Sequence, residues 1–117
     1  MRSEQNIERR LGYLDAVARS ARQVVRRAAK RGNRIAWVGR AQFGSGSGSL
    51  MLTPDHQPEM RGSAVAVPAP GDGPVAALTE RELDRWAVKM LWAALDNGLL
   101  PNDVTEEVFT AAFLQRG

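Results

Sequence analysis

Residues 3–31 read SEQNIERRLGYLDAVARSARQVVRRAAKR, and the spacing inside this stretch decides the fold reading. Ile7, Leu11, Leu14, Ala18, Ala21, Val25 and Ala28 recur alternately four and three residues apart. That period is the seam of an amphipathic helix lying along another helix. Val17 and Val24 widen the stripe, while Arg9, Arg19, Arg22, Arg26, Arg27 and Lys30 fall off it. Gly12 costs about 1 kcal/mol against Ala, too little to break so long a helix. Lys30 and Arg31 favour the last turn of the helix dipole, and Gly32 is a good stop. The small Ala18 and Ala21 at mid-seam let an opposing element come close.

Outward from this helix the pattern changes. Ile35-Ala36-Trp37-Val38, after a Gly-Asn turn, reads as a short strand that Phe43 closes. Gly44-Ser45-Gly46-Ser47-Gly48-Ser49 follows, a strict alternation that reads as an engineered flexible linker and makes the chain an engineered single chain. Its origin as a fusion joint, a replaced loop or the join of a circular permutant stays open. It lacks the Gly-Lys-Ser/Thr ending of a phosphate loop. Leu50-Met51-Leu52 is a brief apolar run halted by Thr53-Pro54, and residues 50–78 read as irregular apart from one strand at Ser63–Val67 that could pair with 33–43. Thr79 with Glu82 makes a capping box for a helix over about 80–96 that stops at Asn97-Gly98. Leu83, Trp86, Ala87, Met90, Leu91, Ala94 and Leu95 form its apolar face, and Val88 and Trp92 broaden it. So wide an arc calls for cover on two sides or for a partner. Asp103 with Glu106 suggests a second capping box for a last helix near 104–115, with Val108, Phe109, Ala112 and Phe113 on its apolar side.

The expected fold is therefore mainly α: a long basic helix on a C-terminal helical hairpin, with a small two-stranded β element. Four segments are expected: 1–43, the linker 44–49, the irregular 50–78 and the acidic hairpin 79–117. With 117 residues, 44% hydrophobic and 25% charged, the chain has the make-up of one ordinary globular domain. Its net charge of +3 conceals a division. Residues 1–43 hold eleven Lys/Arg against three Asp/Glu, a net of +8, and residues 44–117 hold five against ten, a net of −5. Two such halves attract each other, or the first seeks an outside polyanion. No run approaches a membrane span. The charged, amphipathic start, in which Glu4, Glu8 and Asp15 sit among the arginines, points to the cytoplasm.

Chemistry is sparse. There is no Cys, and His56 is the single histidine. Asp55-His56-Gln57-Pro58-Glu59 offers too few ligands for a stable metal site, so no metal and no cofactor are inferred. No nucleophile-elbow motif is present, and the clustered carboxylates are explained by helix starts. The expected class is a non-enzymatic protein–protein interaction module, a single chain in which a basic helical segment docks on an acidic one. Leu11, Leu14, Ala18, Val25, Trp86, Met90, Leu91 and Trp92 would form its partner-binding seam, with a protein partner or a second copy as ligand and no small-molecule substrate. One alternative is a small DNA- or RNA-binding regulator with Arg22, Arg26, Arg27, Lys30 and Arg31 on phosphates. Another is a structural subunit assembling through the Trp92 face.

Overall fold

The computed structural model describes residues 2–43, 47–54, 64–101 and 104–113, and of these it describes the side chains of all but 2–11, 41–43, 47–49 and 111–113. Helix α1 (Arg2–Arg31) leads into strand β1 (Ile35–Phe43), β2 (Ser47–Thr53) and β3 (Ala64–Pro68). A 3₁₀ turn at Val75–Ala77 precedes α2 (Glu80–Asp96) and α3 (Glu106–Phe113). The strands form one antiparallel sheet in the order β2-β1-β3. Helices α1 and α2 pack against each other and against the sheet, and α1 also meets α3.

This is an α+β fold, which overturns the mainly helical expectation and its two-stranded element. The physical reason lies at the Gly-Ser stretch. Gly and Ser carry little strand preference of their own, yet Ser47, Gly48 and Ser49 run as β2 opposite Phe43, Gln42 and Ala41. Their register follows from the residues next to them. Leu50 and Leu52 pair with Arg40 and Val38 and so project to the sheet face under the helices, because side chains alternate along a strand. Residues 44–46 lie outside the described part of the chain. The central strand β1 belongs to the basic half, while both its neighbours belong to the acidic half. The two charge halves thus share a single sheet and one core.

Helix α1 has thirty residues, about 45 Å at 1.5 Å per residue. Its seam is buried from Leu14 onward: Leu14, Ala18, Ala21, Val25 and Ala28 are all within the core, joined by Val24 and Ala29. Opposite lie Leu83, Trp86, Ala87, Met90, Leu91 and Ala94 of α2. The sheet contributes Ala36, Val38 and Val67. Trp86, fully buried, donates its indole N–H to the Val67 carbonyl at 3.0 Å, which satisfies the one polar group this large side chain brings into the core. No charged or polar side chain is buried among the described residues.

Helix α2 starts as a capping box. The Thr79 hydroxyl accepts from the Glu82 N–H at 3.2 Å, and the Glu82 carboxylate accepts from the Thr79 N–H at 3.0 Å. It ends at Asn97 and Gly98, where Gly98 takes φ +67°, a left-handed geometry that glycine adopts without a Cβ penalty. Asp103 lies outside the described residues, and at α3 it is the Thr105 hydroxyl that accepts from the Val108 N–H, at 3.4 Å. Val108 then occupies the position where a reciprocal capping box would need Glu or Gln. Pro68 at the end of β3 is tolerated because β3 is an edge strand. From α2, Lys89 donates to the Pro68 carbonyl at 3.5 Å.

Candidate functional site: the bare face of the sheet and a cleft at its end

The sheet has two unlike faces. Ala36 and Val38 of β1 and Val67 of β3 point to the helices and are buried. Strand alternation puts Ile35, Trp37 and Gly39 on the opposite face, with Met51 and Thr53 from β2 and Ala64, Ala66 and Pro68 from β3. Cross-strand register sets them in rows: Pro68 beside Ile35, Thr53 and Ala66 beside Trp37, and Met51 and Ala64 beside Gly39. None of these eight carries a charge; Ile35 and Met51 are exposed at 43% and 37%, Ala66 and Pro68 are exposed, Trp37, Thr53 and Ala64 are half-buried, and Gly39 is buried. No described helix packs on this side. Soluble proteins seldom leave contiguous apolar surface open without a use for it.

The second feature lies at the β2 side of the helix layer. Tyr13, Val17 and Ser20 of α1, Arg40 of β1, Leu50 and Leu52 of β2, and Leu99 and Pro101 beyond α2 enclose an open cleft of about 500 Å³. Arg40 reaches inward, on the same side of its strand as Ala36 and Val38, and donates from Nη2 to the Gly98 carbonyl at 3.1 Å. Burial pushes the Tyr13 phenol above its ordinary value, and the positive Arg40 pulls it partly back.

The residues singled out from the sequence fall into two groups. Leu14, Ala18, Val25, Trp86, Met90, Leu91 and Trp92 come together, but inside this chain's own core. The side chain of Leu11 lies outside the described residues. Trp92 is 5% exposed and meets the Phe109 ring edge-on at a centroid distance of 4.4 Å. The wide arc of α2 is thereby covered from two sides. The cationic residues are on the surface. Arg26 pairs with Glu80 at 2.6 Å and Arg22 with Asp84 at 3.6 Å, across the α1–α2 seam. Arg27, Lys30 and Arg31 are exposed on α1. Arg34, outside that set, donates to the Gly71 and Gly73 carbonyls and ties the loop before α2 to the start of β1. His56 with Asp55 and Glu59 lies outside the described residues, and no group of three or more metal-ligating side chains occurs among those described. None of the described helices is long and apolar enough to cross a membrane.

Sequence reasoning misses both features. The run Ile35–Val38 is apolar at every position, so it shows no alternation to mark Trp37 as facing away from the helices. The signal for the cleft is a charge at an inward register position, Arg40 after Ala36 and Val38. Compared with protein-family models, curated proteins and solved structures, the chain matches none of them.

Proposed function

We propose that this chain is a non-enzymatic protein-interaction module whose docking surface is the outer face of the sheet, and that a second copy of the chain is its occupant. The observation that carries the reading is the uncharged, largely apolar grid centred on Trp37, over which no described helix lies, on a sheet whose other side is covered. With no charge to satisfy, the face makes no demand for an oppositely charged partner. Its relief also suits a copy of itself. Bulky Trp37 and Met51 sit next to small Gly39, Ala64 and Ala66. A two-fold axis in the plane of the interface, crossing β1 at Val38, lays Trp37 of each copy over Gly39 of the other and Thr53 over Met51. The same surface then meets itself across the axis, as an isologous contact requires.

The size of the face sets the strength. Three strands about 4.8 Å apart and five residues long give a footprint on the order of 250 Å². A stable interface buries about 800 Å² per partner, so the pairing is reversible and of micromolar affinity or weaker. A cytoplasmic location belongs to the same proposal. The reading in which the basic segment docks on the acidic one becomes, here, an intramolecular role: α1 lies on α2 and two ion pairs cross the seam. The nucleic-acid alternative has less support, because Arg22 and Arg26 already face carboxylates.

Sedimentation equilibrium from micromolar to near-millimolar protein tests the dimer, alongside Ala66→Glu. Ala66 is exposed, so the variant should keep its fold, while a carboxylate buried at the contact is unpaired and strongly unfavourable. The wild type should gain mass with concentration and the variant should stay monomeric. A wild type that is monomeric throughout, or a variant that associates equally well, contradicts the proposal.

A further inference from the structure

We infer that the cleft between α1, β2 and the α2–α3 link is a binding site for a small monocarboxylate with a linear apolar body, a medium-chain fatty acid in chemical class. Its walls and its charge point the same way. Val17, Leu50, Leu52 and Leu99 supply an apolar trough, and Arg40 stands in it as a half-buried cation. Among the described residues Arg40 has one hydrogen bond, to the Gly98 carbonyl, and no carboxylate partner. A guanidinium carries five N–H donors in a planar fork, so an edge remains for two parallel bonds to a carboxylate.

Neutral ligands would leave this cation unmatched in apolar surroundings, which is costly. A dianionic phosphate would carry more charge than one guanidinium balances, and among the described residues Arg40 is the one cation lining the cleft. A single carboxylate matches it. Tyr13 shares the cleft, and its hydroxyl has no hydrogen-bond partner among the described residues. A phenol is neutral near pH 7 and can donate to the second carboxylate oxygen. The opening of about 500 Å³ lies within the range of small-ligand sites and takes a chain of medium length. The site lies on the helix-covered side of the sheet, so it stands or falls independently of the proposed dimer.

The test uses the full chain and three probes of equal length: decanoate, decanol and decylamine, each below its aggregation concentration. Binding is read as amide chemical-shift changes. Decanoate should shift residues 13, 17, 40, 50, 52 and 99 with an affinity about tenfold above that of decanol, the worth of a charge-assisted bidentate contact. Decylamine should bind weakest. Arg40→Met should bring decanoate down to the level of decanol, and Tyr13→Phe should weaken decanoate a few-fold while sparing decanol. Decanol binding as tightly as decanoate to the wild type overturns the assignment, and so do decanoate shifts that fall outside the cleft. The wild-type comparison decides the matter even if Arg40→Met does not fold.

Discussion

Trp86 and Trp37 stand on opposite sides of the same sheet and show what separates its two faces. Trp86 comes from α2, is fully buried, and gives its N–H to the carbonyl of Val67. Trp37 comes from β1 itself, is half-buried, and has no described helix above it. The covered face obtains its stability from within the chain. The bare face has apolar side chains of the same kind with no described helix over them. On the proposed reading, one sheet holds a folding surface and a docking surface, separated only by the alternation of side chains along each strand.

The largest expected effect is on the covered face. Trp86→Ala removes a large core side chain and orphans its hydrogen bond, which should cost about 3–5 kcal/mol and leave the chain largely unfolded in denaturant titrations. Trp37→Ala should change the unfolding free energy by about 1 kcal/mol or less while weakening self-association. Equal losses at the two tryptophans would erase the distinction between the faces. Next in size is Ala21→Leu. Ala21 is fully buried where α1 and α2 approach, and overpacking there should cost about 1–3 kcal/mol. A neutral outcome would mean that the two helices are not closely apposed at that point.

Thr79→Ala comes third, with a loss of about 1 kcal/mol from the uncapped start of α2. It has a pH signature. The Thr79 backbone and side chain, followed by Arg85, hold the Glu82 carboxyl below its ordinary value of 4.5. A lowered folded value means that the unfolded state binds the proton more readily. This contribution is therefore present above the unfolded value and is lost as the pH falls through the folded one. Thr79→Ala keeps the backbone N–H, the larger cause, so it should retain most of this acid dependence, whereas Glu82→Gln should lose it; an acid profile unchanged in Glu82→Gln would contradict the capping box as its source. Smallest is Arg26→Ala. Its pair with Glu80 is short but lies on the surface, so a change of about 0–1 kcal/mol, fading with salt, is expected.

Helices could be read directly from the residues because two independent signals coincide in them. The period of Leu14, Ala18, Ala21 and Val25 marks α1, and Thr79, Glu82 and Gly98 bracket α2. The strand β2 gives neither signal. Three of its seven residues are Gly or Ser, and only Leu50 and Leu52 mark its inner side, too few to establish alternation. Its place in the sheet comes from pairing with β1, a long-range constraint absent from local composition. The cleft is harder still, since Tyr13, Arg40 and Leu99 come from three distant segments. The bare face is written in the parity of Ile35, Trp37 and Gly39, but that parity shows its meaning only once α1 and α2 are seen to cover one side alone.

Amide chemical shifts followed on dilution test the docking face most directly. A dimer through the bare side of the sheet predicts concentration-dependent shifts at residues 35, 37, 39, 51, 64 and 66, with α1 and α2 unchanged. Spectra that do not vary with concentration, or shifts confined to the arginine-bearing side of α1, would contradict it.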